Sequence, residues 1–127
     1  MDRKILVTAA IFGMTAIILG AFGAHALREM LSQEQLATFE TGVRYQMYHA
    51  LLLLFVGIYP GIPEKTKKTV LWLVGSGILF FSGSIYLLAT GIGSGFNKII
   101  GPVTPLGGLL LIIGWFVLLF HFFRRKS

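Results

Sequence analysis

Four long apolar blocks, with most of the charge confined to the short segments between them, leave this chain few ways to fold. They run from about Ile5 to Ala26, Val43 to Tyr59, Thr69 to Thr90 and Pro105 to Phe123. The first alone makes a helix roughly 33 Å long at about 1.5 Å per residue, enough to cross the hydrocarbon of a bilayer. The second stops at Pro60-Gly61-Ile62-Pro63, which cannot continue a helix. Of the 127 residues only 13% are charged and 55% are hydrophobic, whereas an ordinary soluble domain has about 25% charged. Such a chain has too little polar surface to enclose its apolar residues in water. The predicted fold is an all-α, multi-pass integral membrane protein. It is one domain over residues 1–127, an antiparallel bundle of four transmembrane helices.

The charges predict an orientation. Arg3, Lys4, Lys65, Lys67, Lys68, Arg124, Arg125 and Lys126 share one side of a four-span protein, and only Arg28, Arg44 and Lys98 lie on the other. The positive-inside rule puts the richer side, with both termini, in the cytoplasm. It also accounts for the net charge of +6 without nucleic acid, which is not an expected partner. The absence of cysteine excludes disulfides, thiolate metal sites and thiol catalysis. Arg3-Lys4, an apolar run and Ala24-His25-Ala26 imitate a cleavable signal. The run is long for that purpose and three more blocks follow, so the first block is expected to stay as a span.

Local signals refine the connections. Ser32 as N-cap and Gln35 at N3 form a capping box, and Leu31 and Leu36 occupy the staple positions. A short capped helix is therefore expected in the first outer loop, leading into span two, with Gly42 as a bend. Thr104 and Pro105 read as N-cap and N1 of the last helix. Gly107 and Gly108, Gly20 with Ala24, and Ser76 with Gly83 are small residues suited to close helix contact. Gly91-Ile92-Gly93-Ser94-Gly95-Phe96 lacks the dinucleotide fingerprint and reads as a flexible loop. No nucleophile elbow and no His-Glu-x-x-His motif is present.

The unusual polar residues gather at the outer end of this topology. His25, Arg28 and Glu29 close span one; Glu40, Thr41, Arg44, Tyr45, Tyr48 and His49 open span two; Tyr86 and Thr104 approach from spans three and four. His25 with Glu29, Glu40 with Arg44, Arg44 with Tyr48, and Tyr45 with His49 are each four apart and share a helix face. Three readings follow. In the first, a Glu40–Arg44 ion pair and a His49 bonded to a carbonyl or tyrosine lock the helices. In the second, His25, Arg44, Tyr45, Tyr48 and His49 bind a lipid head group, a quinone-like molecule or a partner segment. Arg44 is then the anion contact, and Arg28, Glu29, Glu40, Thr41, Tyr86 and Thr104 form the supporting polar network. In the third, His25, His49 and Glu29 carry metal, haem or proton chemistry. No cofactor is predicted. Besides the bilayer, the expected partners are a lipid or quinone-like ligand, and a second copy or another membrane protein.

Gly20-Ala21-Phe22-Gly23-Ala24-His25-Ala26-Leu27, Phe39-x-Thr41-Gly42-x-Arg44-Tyr45-x-x-Tyr48-His49-Ala50, Phe81-Ser82-Gly83-Ser84-x-Tyr86 and Thr104-Pro105-x-Gly107-Gly108 occur in this order. In that combination the chain resembles the YgdD/YwdK-type family of small bacterial inner-membrane proteins, domain of unknown function 423. Its eukaryotic relatives are called transmembrane protein 256. The resemblance covers nearly the whole chain. It implies four spans and the bacterial cytoplasmic (inner) membrane, and it singles out His25, Thr41, Arg44, Tyr45, Tyr48 and His49. It supplies no reaction. The expectation is a non-enzymatic accessory or binding protein with a polar outer-leaflet site. The alternative is a proton-linked, metal- or haem-dependent activity at His25 and His49.

Overall fold

The computed structural model describes residues 2–92, 95 and 97–125. Among these residues four α-helices follow one another: α1 (Asp2–Phe22), α2 (Gln33–Ile58), α3 (Glu64–Thr90) and α4 (Asn97–Arg124). A π-helical turn, Gly23–Leu27, extends α1 without a break. There is no strand among the described residues. Gly93, Ser94 and Phe96 of the glycine-rich stretch expected as a loop, and Lys126, lie outside them. Gly91, with φ of 76°, ends α3 in the left-handed conformation that glycine adopts without strain.

The capped start of α2 is as the sequence predicts. Ser32 Oγ accepts from the Gln35 amide at 3.1 Å, and Gln35 Oε1 accepts from the Ser32 amide at 2.9 Å. Leu31 and Leu36 pack on a cluster of Leu27, Phe39 and Ala89. The helix then continues for 26 residues, about 39 Å. The capped segment and the second apolar block are thus one element. Gly42 does not interrupt it. A Cβ there would lie 2.8 Å from the Tyr86 ring, so glycine serves the close approach of α3.

The start of α4 departs from the expectation. The helix begins at Asn97, and Pro102 and Pro105 both lie inside it. Each proline gives up one backbone hydrogen bond and crowds the carbonyl four residues before it, a cost that the packing of α4 must offset. Thr104 is not a cap. Its hydroxyl lies 2.5 Å from Ser84 Oγ. Because Ser84 donates to the Phe81 carbonyl at 3.0 Å, Thr104 is the donor between the two hydroxyls.

Consecutive helices pack side by side and antiparallel. Gly13 faces Ala50 and Gly20 faces Val43 across α1 and α2; Gly77 faces Leu111 and Gly114 faces Val74 across α3 and α4. The start of α1 and the end of α4 therefore share one end with the 59–63 turn. There Lys67, only 2% exposed, pairs with Asp2 at 3.1 Å and reaches the Gly57 carbonyl at 3.4 Å. A lysine counted above as a topology signal is thus a buried tie between α1, α2 and α3. The core at this end joins Ile5, Ala9, Leu53, Val56, Val70, Val74, Leu111 and Leu118.

Three helical stretches, Asp2–Leu27, Glu64–Thr90 and Lys98–Arg124, are long and apolar enough to cross a membrane. Their outward faces carry Ile11, Ile17, Leu79, Ile112, Phe116 and Leu119, all exposed. α2 has the length but not the apolarity, because Arg44, Gln46 and His49 interrupt it.

Candidate functional site

Built upward from α2, the polar residues divide by helix face. Phe39, Gly42, Gln46, His49, Leu53 and Val56 recur at alternating steps of three and four, and all are buried. This is the stripe that packs against neighbouring helices. Arg44, Tyr45 and Tyr48 fall beside it and are exposed.

Gln46 is the centre of the buried set. Its Nε2 donates to the Phe12 carbonyl at 2.8 Å and to Thr15 Oγ1 at 2.7 Å. A carbonyl only accepts, which fixes the orientation of the amide. Its Oε1 then accepts from the Tyr86 hydroxyl at 2.6 Å. One side chain so ties α1, α2 and α3. Ser82 adds a bond to the Gly42 carbonyl at 2.7 Å. Every buried side-chain nitrogen and oxygen among the described residues has a partner.

His49 is fully engaged. The Trp115 indole donates to its Nε2 at 3.0 Å. An indole N–H can only donate, so Nε2 is the acceptor and the proton sits on Nδ1. Nδ1 lies 2.7 Å from the Tyr45 carbonyl and donates to it. The ring is a neutral link between α2 and α4. Neither nitrogen has a lone pair left for a metal.

The exposed residues form a strip. Tyr45 packs on Tyr48 at 5.6 Å, on His49 at 6.4 Å and on Phe81 at 5.2 Å between ring centroids, and Trp115 lies edge-on to His49 at 6.1 Å. Arg44 precedes Tyr48 by one turn on the same side. The facing pairs Gly13–Ala50 and Gly20–Val43 put Arg44 level with Leu19 of α1, inside an apolar stretch.

The other predicted site residues stand apart. His25, Arg28, Glu29 and Glu40 are exposed, and Thr41 bonds the Ala37 carbonyl of its own helix at 3.1 Å. Glu40 and Arg44 make no ion pair, nor do His25 and Glu29; among the described residues Lys67–Asp2 is the one salt bridge. The same helix register puts His49 level with Met14. His25 is then about 11 residues farther along, or about 16 Å. No group of three His, Asp or Glu side chains is placed to hold a metal among the described residues. The π-helical turn that carries His25 lets Gly23 meet Phe39, whose ring would lie 2.9 Å from a Cβ at that position.

Sequence reasoning gave no role to Gln46, Trp115 and Thr15, and met Ser82 only within the Phe81-Ser82-Gly83-Ser84-x-Tyr86 motif. The three-four stripe of α2 would have found Gln46. Trp115 carried no local signal, because its role depends on which face of α4 meets α2.

Comparison with known proteins adds a family. Residues 19–108 match the model of a family described as protein of unknown function (DUF423). A UPF0382 membrane protein of Staphylococcus saprophyticus is 44% identical, covering 96% of this chain and 98% of the relative. One of Staphylococcus aureus is 41% identical over 96% and 97%. One of Haemophilus influenzae is 37% identical over 100% and 99%. No solved structure matches the chain.

Proposed function

The chain belongs to this family of proteins of unknown function (DUF423), and on that premise we propose that it is a four-span, non-enzymatic binding protein of the bacterial inner membrane. Three apolar stretches and relatives named membrane proteins support the membrane. The fourth span is α2, which lies antiparallel beside α1 along its length. Its Gln46 and His49 bond within the protein, so they do not oppose crossing. Both termini are cytoplasmic, on the side of Arg3, Lys4, Lys65, Lys68, Arg124 and Arg125.

The site is the strip of Arg44, Tyr45, Tyr48 and Trp115, and it binds an amphiphile of the outer leaflet. The observation that carries this is Arg44. It is exposed, makes no ion pair with a described residue and is level with apolar Leu19. An arginine at membrane depth is costly unless a counter-charge meets it. Its long side chain reaches toward the head groups, and the aromatic rings supply an apolar shelf for the rest of a lipid or quinone-like molecule. The occupied nitrogens of His49 favour this reading over metal or proton chemistry there.

Native mass spectrometry of protein gently extracted from its own membrane tests the site. The expected result is a reproducible bound mass that Arg44→Gln loses while its melting temperature stays close to that of the wild type. Bare wild-type protein, or a bound mass equally retained by Arg44→Gln, removes the site.

A further inference from the structure

At the opposite end of the molecule, Thr66 of α3 and Val117, Phe120, His121, Arg124 and Arg125 on and just beyond α4 line a concavity of about 440 Å³. The residues converge there for separate reasons. His121 is oriented by Nε2 donating to the Gly61 carbonyl at 3.1 Å. Arg125 donates to the Tyr59 hydroxyl and lies 5.5 Å from the Tyr59 ring centroid. Arg124 lies 5.3 Å from the Phe120 ring centroid. Gly61 permits the arrangement, since a Cβ there would lie 2.6 Å from the Tyr59 ring and 2.8 Å from Arg125 Nη1.

Topology alone requires positive charge on this side, not its fixation. Here two guanidiniums are held over aromatic rings, and neither makes an ion pair with a described residue. Among the described residues no carboxylate lines the cavity. A guanidinium has five N–H donors in a planar fork, and a single bond to Tyr59 leaves most of them for an anion. Two adjacent forks with a hydroxyl, Thr66, match the several acceptor oxygens of a phosphate group. Val117 and Phe120 form the apolar part of the lining. The larger groove between α1 and α3, about 800 Å³, has Arg3 and Lys4 at one end, but its hydroxyls Thr8 and Ser76 bond their own helix backbones. Nothing there holds a cation in place.

We propose that the Thr66–His121–Arg124–Arg125 cavity binds a phosphate group, carried by an anionic lipid of the leaflet on the termini side. The lipid source rests on the membrane-spanning reading above; the phosphate chemistry does not, and neither depends on the Arg44 site.

The test is binding of phosphatidic acid to the full chain in detergent, with diacylglycerol as the phosphate-free control. Wild type and the double variant Lys65→Gln/Lys68→Gln should bind phosphatidic acid alike. Arg124→Gln/Arg125→Gln should bind it at least about ten-fold more weakly, the loss of roughly one charge-assisted contact. If that variant does not fold, Arg124→Gln alone, whose guanidinium lies over the Phe120 ring, should weaken binding in the same direction. Displacement by inorganic phosphate would make the site one for a free phosphate group; resistance to it would support the lipid. Equal weakening in the two double variants, or diacylglycerol binding as well as phosphatidic acid, overturns the proposal.

Discussion

His49 looks like chemistry in the sequence and acts as a joint in the structure. A histidine deep in an apolar helix invites a functional reading, and only its partners decide the matter. Trp115 and the Tyr45 carbonyl take both nitrogens, at 3.0 and 2.7 Å. Gln46 behaves likewise, with three partners on two neighbouring helices. Interhelical hydrogen bonds of this kind are worth about 0.6 kcal/mol on average in membrane proteins and up to about 1.7. Trp115→Phe and His49→Leu should each lower thermal stability. The double variant should lose less than the sum of the two, by about 1 kcal/mol, because the second change removes a partner already orphaned. Strict additivity in denaturation measurements would mean that the Trp115–His49 bond does not form.

At the scale of elements, each helix contact carries its own fastening. Gln46 fastens α1 to α2 and, with Ser82, α2 to α3; Trp115 fastens α4 to α2; Thr104 fastens α4 to α3. Close approach is confined to particular glycines. A Cβ on Gly107 would collide with the backbone of Phe80 and Phe81, 2.7 Å from the Phe80 carbonyl carbon and 2.8 Å from Phe81 Cα. A Cβ on Gly83 would meet nothing within 4 Å. Gly107→Ala should therefore force α3 and α4 apart at a cost of about 1–3 kcal/mol, while Gly83→Ala leaves the melting temperature unchanged or raises it. Similar melting curves for the two would contradict this packing. The sequence marked both glycines as contact residues. It distinguished neither, because which face of a helix meets a neighbour is a tertiary fact.

For the whole molecule the decisive question is whether α2 crosses the membrane with its neighbours. It lacks their apolarity, since Arg44, Gln46 and His49 sit in its middle, yet two of these three are bonded inside the protein. With no cysteine in the chain, single-cysteine labelling answers cleanly. Gln33→Cys and Lys65→Cys flank α2. In intact cells an impermeant maleimide should label Gln33→Cys, and Lys65→Cys should react only after the membrane is opened. Labelling of both from one side would leave α2 on the surface and remove the four-span reading.

Composition and patterning by themselves determined that this chain is helical, where the apolar blocks lie and where α2 begins, because these depend on local chemistry: block length, charge at block ends and a capping box. Only the tertiary structure decided what the polar residues do. It separated exposed Arg44 from buried His49, although they are five positions apart on one helix, and it revealed Gln46 and Trp115 as partners. It placed Lys67 against Asp2 and used Thr104 as a bridge to Ser84 instead of a cap. The physical reason is common to all of these. A polar side chain in an apolar setting takes its role from the group that satisfies it, and that group comes from an element distant in sequence.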